Sequence, residues 1–140
     1  MNFYKVSLTL LAVSILAISC SNDTDGKSEQ AEYQNISEKV DGVVAELESK
    51  ISQYEKVAIL DHHRMAAAAS VYTPPSIAMI FSDPQVNTKL VAFNQLIGLD
   101  LPFKVLCYTE PDTSKVSIAF TSSEFIQKRH GLESGALSEY

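Results

Sequence analysis

An uncharged run of thirteen residues at 6–18, rich in Leu, Ile, Val and Ala, follows a short start carrying Lys5 and ends at Ser19-Cys20. A positive start, an apolar middle and small residues before a cut describe an export signal, which is removed rather than folded. As a helix the run spans about 20 Å at ~1.5 Å per residue, short of the ~30 Å hydrocarbon core of a bilayer. The pattern predicts a discarded leader over 1–19 and not a permanent span. What is left of the 140 residues suffices for one ordinary domain and not for two. With 46% apolar and 20% charged residues over its full length, the chain has the composition of one that folds.

The end of the run, Ala17-Ile18-Ser19-Cys20, resembles the lipobox of bacterial lipoproteins, with Ala17 where a Leu is commonest. The resemblance implies a cysteine acylated on sulfur that becomes the new N-terminus, a lipid anchor in a membrane through Cys20, and a domain in the bacterial cell envelope, in the periplasm or at the cell surface. Removing 1–19 takes away Lys5, leaving ten basic against seventeen acidic residues, or −7 instead of −6. Acyl chains at ~0.8 kcal/mol per buried methylene anchor such an acidic protein without a basic patch. The same acidity lacks the footprint of a phosphate-neutralising surface, so nucleic acid is not an expected partner. The second cysteine, Cys107, is left without an intramolecular partner. Within Val105-Leu106-Cys107-Tyr108 it reads as a small buried hydrophobe of a strand.

Residues 21–30 contain no apolar side chain to offset the entropy of ordering, and a flexible acidic tether is expected over 20–35. Val40, Val43, Val44, Leu47, Ile51 and Tyr54 form one helical stripe, predicting a helix over 37–54 with Ser37 as its N-cap. Strands are predicted over 56–61 and 76–82, with a brief helical turn at 66–69 before Pro74-Pro75. Asp83-Pro84 is a helix start, and the helix is expected to run to about Ile97. Val86, Leu90, Phe93 and Ile97 would face inward, and Gly98 would be its left-handed stop. Residues 103–109 and 115–121 read as a hairpin turning near Pro111-Asp112, followed by a short helix over 123–129 and a frayed tail over 133–140. This order predicts a two-layer α+β sandwich over 36–132, two main helices on one face of a mainly antiparallel sheet.

Asp61-His62, Pro74-Pro75, Asp83-Pro84, the segment from Gly98 to Leu106, and Arg129-His130-Gly131-Leu132 together resemble the family called domain of unknown function 302, over 37–132. The resemblance implies a compact two-layer α+β domain, a homodimer as its oligomeric form, and no established reaction. The family commonly has Gly-Asn where this chain has Ser82-Asp83, and Asp-Gly where it has Asp112-Thr113-Ser114.

The polar residues at the ends of apolar elements are the candidates for a site: Asp61, His62, Asp100, Lys104, Arg129 and His130, with His63 beside them. Adjacent histidines point apart on strand or helix, so only one of His62 and His63 can enter a shared site. Neither His-x3-His nor Cys-x2-Cys spacing occurs, and no metal site is expected. Haem held by His62 or His130, with Met65 helping, is the cofactor alternative; none is expected. A carboxylate from Asp61 or Asp100 can fix a histidine tautomer for acid–base work, yet no nucleophile elbow or phosphate-cradling loop accompanies it. The bland alternative is structural, with Asp100 holding its loop and Arg129 pairing an acid. The expectation is a ligand- or protein-binding domain rather than an enzyme; a metal, haem or enzyme role for Asp61, His62 and His130 is the alternative.

Overall fold

The computed structural model describes residues 23–110, 113–133 and 135–137 of the chain. The expected leader, Cys20 and the expected turn at Pro111-Asp112 lie outside the described residues. The elements are α1 (Asp23–Lys50), β1 (Glu55–Asp61), α2 (His62–Ala68), β2 (Ser76–Ser82), α3 (Pro84–Phe93), a 3-10 helix (Gln95–Leu99), β3 (Phe103–Thr109), β4 (Val116–Phe120) and α4 (Ser123–His130). The four strands form one antiparallel sheet in the order β1-β2-β3-β4, each neighbour in sequence also a neighbour in space. The protein is an α+β domain, as the alternation of periods predicts.

Register decides which side chains face the helices. Ile77 stands opposite Cys107, Met79 opposite Val105 and Phe81 opposite Phe103, so these six share one face. Ile77, Met79 and Cys107 pack with Val40 and Val44 of α1 in one core cluster. Phe81 and Phe103 continue the face into a second cluster, with Val86 and Leu90 of α3, Ile97, Ile126 of α4 and Leu137. Every sheet residue in either cluster belongs to this face. Cys107 is completely buried, and burial pushes its thiol up, the opposite of what a reactive thiolate needs.

The helices depart from expectation at their ends. α1 begins at Asp23, so the described part of the expected tether, from Asp23 onward, is helical, and Ser37 sits inside α1 rather than capping it. The apolar stripe starts two turns earlier than Val40, with Tyr33 and Ile36, and a helix once nucleated adds one hydrogen bond per residue. Asp83 caps α3 as predicted, its Oδ1 accepting from the amides of Gln85 at 2.9 Å and Val86 at 3.2 Å. α3 nevertheless stops at Phe93. Asn94 turns extended, with φ −150° and ψ 111°, and its Oδ1 accepts from the Leu96 amide at 3.0 Å to start the 3-10 helix. An asparagine side chain competes with the helical backbone in this way. Because the chain restarts there, Ile97 is buried while Phe93 is 63% exposed, contrary to the predicted inward pair.

The left-handed stop belongs to α4 and not to Gly98. Gly131 has φ 66°, and the amides of Gly131 and Leu132 both donate to the Gln127 carbonyl. Ser122 caps the start of α4, and Lys128, Arg129 and His130 occupy its last turn, where positive charge meets the negative end of the helix. The described part of the tail is not frayed: Leu137 is fully buried against α4 and the 3-10 helix cluster.

Candidate functional site

α1 carries Ser37 on the same stripe as Val40 and Val44, so folding the stripe onto the sheet buries a hydroxyl that must find a partner. It finds one in α2. Asp61 ends β1 and caps α2, accepting from the Arg64 amide at 2.9 Å, and this cap turns His63 back beneath α1. Ser37 is 2% exposed and His63 1%. His63 Nδ1 lies 2.9 Å from Asp61 Oδ1, and Nε2 lies 3.0 Å from Ser37 Oγ. An ionised carboxylate only accepts, which places the proton on Nδ1 and leaves Nε2 to accept from the Ser37 hydroxyl. The Ser76 amide approaches the same Nδ1 at 3.3 Å, a longer contact that loses this nitrogen to the carboxylate.

Arg64 closes the network outside. Its guanidinium donates to both oxygens of Asp41, at 2.9 and 2.6 Å, to Asp61 Oδ2 at 2.6 Å and to Ser37 Oγ at 3.3 Å. Asp41 and Asp61 push the Arg64 pKa up. Burial pushes Asp61 up, but the Arg64 amide and guanidinium, together with His63, hold its carboxyl below the ordinary value. Arg64 is 51% exposed, so the outer pairs are worth little and the inner serine–histidine–aspartate bonds carry the energy.

The order aspartate, histidine, serine is that of a nucleophilic relay. The surroundings are not. Ser37 lies in the interior of α1, where the neighbouring amides are committed to helical hydrogen bonds and none is free to hold an oxyanion. Its hydroxyl is closed off from solvent. The chemistry left to the network is structural: it pins α1 to the β1–α2 junction.

A second network lies elsewhere. His130 Nε2 donates to Asp100 Oδ2 at 2.5 Å, and Arg129 Nε approaches the same oxygen at 3.3 Å. Together they tie the segment after the 3-10 helix to the end of α4. The six candidate residues therefore do not converge. Asp100, Arg129 and His130 meet; Asp61 belongs to the other network; His62 is exposed and enters neither; Lys104 is exposed on the sheet face away from the helices. Met65 is 62% exposed and stands in neither network. Among the described residues no group of three or more His, Cys, Asp or Glu side chains is placed to hold a metal ion.

The sequence reading named His63 beside the candidates but favoured His62, and it missed Ser37, Asp41 and Arg64 as members of a site. One signal pointed to them: a serine at the i−3 position of a buried valine stripe is a polar group on an apolar face, and such a group demands a buried partner.

The other sheet face has no described helix over it. Register places Ala58 opposite Ile80, Leu60 opposite Ala78, Ala78 opposite Leu106, Ile80 opposite Lys104 and Leu106 opposite Ala119 on that face, with Tyr108 and Ser117 beside them. Leu60 and Ala119 are exposed, and Ala58, Ala78, Ile80, Leu106 and Tyr108 are half-buried by one another. Its charges are Lys104 and, at the corner opposite Ser82, Glu55.

Among the described residues no helix is long and apolar enough to cross a membrane. The chain is 30% identical over 99 residues to the fluoride-specific ion channel FluC 1 of Brucella suis biovar 1 (strain 1330), covering 70% of this chain and 37% of that protein. It is equally similar, at 30% over 99 residues and 35% of the relative, to FluC 1 of Brucella abortus biovar 1 (strain 9-941). The chain thus spans little more than a third of the length of the curated relatives it matches. The family described as "Domain of unknown function DUF302" matches residues 31–139, wider at both ends than the segment whose motifs suggested it, and the chain belongs to that family.

Proposed function

We propose that this chain is a bacterial envelope lipoprotein, held to a membrane by lipid on Cys20, whose α+β domain is a non-catalytic binding module that pairs with a second copy of itself through the open sheet face. The observation that carries the reading is that face: apolar on all four strands, and covered by no described helix. Four strands about 4.8 Å apart and six residues of about 3.4 Å give the whole face a footprint of roughly 400 Å2, its polar positions included, comparable to the largest surface patches of ordinary monomers, which are often functional. Its one acid and one base leave it neutral on a chain of net charge −6. It is where an acidic protein meets its own copy with least repulsion, and a two-fold contact can set Glu55 of one copy toward Lys104 of the other.

The polar networks support a binding role over a reactive one, because each is consumed in fixing elements to one another. The fluoride channel activity in the relatives' names concerns proteins of which this chain matches just over a third. It is no part of the reading.

Two experiments test it. Labelled fatty acid should enter the wild-type protein and not Cys20→Ser, and labelling of both or neither refutes the anchor. Two differently tagged full-length copies, solubilised in a large excess of detergent micelles, should co-purify. Leu106→Asp on the open face should reduce recovery to background, and recovery unchanged by the substitution refutes the pairing surface.

A further inference from the structure

α2 ends in a turn that projects apolar side chains into water. Ser70 stands in the left-handed region at φ 59°, the Val71 amide donates to the Ala66 carbonyl and the Ser70 amide to the Ala67 carbonyl, both at 2.9 Å. These are the two bonds of a Schellman stop, with serine in the place glycine usually takes. The backbone of the turn is satisfied from within, while Val71 is 53% and Tyr72 75% exposed. Met65 and the alanines 67–69 are exposed beside them.

No charged residue occurs between Arg64 and Asp83. Over 76–82 the fold supplies the reason, because β2 is an inner strand of the sheet. Over 65–74 it supplies none. Apart from half-buried Ala66 and Thr73 these residues are exposed, and an uncharged, largely apolar stretch in water on a chain of net charge −6 marks a contact surface.

The position of the turn names the partner. The Tyr72 ring packs against Tyr33 of α1, centroids 5.0 Å apart. Tyr33 is ten residues from the start of α1, about 15 Å at ~1.5 Å per residue. Cys20 precedes that start by three residues, at most about 11 Å of extended chain. Tyr33 therefore stands no farther than about 26 Å from Cys20, and inclining α1 toward a bilayer that holds Cys20 brings the turn to the headgroups. The exposed Phe93, Leu96 and Leu99 lie toward the opposite end, where Phe81 and Phe103 meet the Ile97 cluster.

We infer that this turn is a second point of contact with the membrane, Val71 and Tyr72 seated among the neutral headgroups of the bilayer that holds the lipid on Cys20. The inference rests on the anchor reading of Cys20 and not on pairing through the open sheet face. A tyrosine ring suits that depth, its apolar body toward the acyl boundary and its hydroxyl toward water. Glu29, Glu32 and Glu110 are exposed near the turn, so the lipid surface it fits is neutral rather than anionic.

The test reconstitutes the full-length protein into phosphatidylcholine vesicles, with an environment-sensitive fluorophore on Val71→Cys or, as the control, on Leu96→Cys. Cys107 is fully buried and the anchor consumes the Cys20 thiol, so each label reports one site. The Val71 label should emit to the blue of the Leu96 label and be quenched by lipid spin-labelled at the headgroup; the Leu96 label should not be quenched. Tyr72→Asp, which puts a charge on the turn, should abolish both the shift and the quenching at position 71. The substituted positions are at the surface, and an unchanged circular dichroism spectrum verifies that the variants fold. Flotation of the vesicles separates this contact from the anchor. Protein that does not float with them lacks the anchor, and the contact falls with it. Protein that floats overturns the contact alone if the two labels behave equally or if Tyr72→Asp leaves the quenching in place.

Discussion

His62 and His63 are neighbours in the chain and differ in everything the fold does with them. His62 begins α2 in water, whereas His63 is sealed under α1 between Asp61 and Ser37. Truncating His63 leaves the buried Ser37 hydroxyl without its acceptor and opens space beneath α1. His63→Ala should therefore lower stability by about 2–3 kcal/mol, the loss from an unsatisfied buried group plus a small cavity. His62→Ala should stay within about 0.5 kcal/mol of wild type, as surface changes do. Urea denaturation of both variants measures the contrast. Asp61 sets the acid response of the same network. Its carboxyl is held below the ordinary value in the folded protein, so its stabilisation is fully present above the unfolded pKa of ~3.9 and is lost as pH falls through the lowered folded value. Asp61→Asn should flatten the acid limb of stability against pH over that interval, as urea denaturation at a series of pH values would measure.

At the scale of elements, β2 and β3 run over the residues their alternation predicts, and Asp83-Pro84 opens α3. These features are legible because each depends on local chemistry: a period of two, or a cap oxygen next to a proline. The ends of α1 and α3 are not legible in the same way. The reach of α1 back to Asp23 depends on propagation from a nucleus near Val40, and the end of α3 depends on Asn94 choosing an extended backbone so that Ile97 enters a core built from distant residues. The site was legible only in part, for a similar reason. The Asp100–Arg129–His130 cluster joins residues thirty positions apart, and sequence could nominate its members without saying that they exclude His62 and Lys104. The glycines give a direct test of where the left-handed stop lies. Gly131→Ala, at φ 66°, should destabilise by about 1 kcal/mol. Gly98→Ala, with ordinary backbone and open space around a new Cβ, should be neutral or stabilise by up to about 1 kcal/mol. Thermal denaturation of the pair distinguishes this arrangement from one in which Gly98 ends α3.

At the scale of the molecule, one sheet divides the domain into two unequal sides. All the described helices with a share in the core lie on one side, joined by two apolar clusters and stapled by two polar networks. The other side is an apolar surface of four strands with nothing described against it. A fold that spends His63, His130, Asp61 and Asp100 on internal ties and leaves a neutral apolar face outside is built for association. That claim is tested most directly by sedimentation equilibrium of the full-length protein, in detergent at large micelle excess, beside Ile80→Asp and Leu106→Asp. Wild type should sediment with the mass of two chains at micromolar concentration and both variants with the mass of one, all three with the same circular dichroism. A wild-type protein of one-chain mass, or variants that remain paired, would contradict the account.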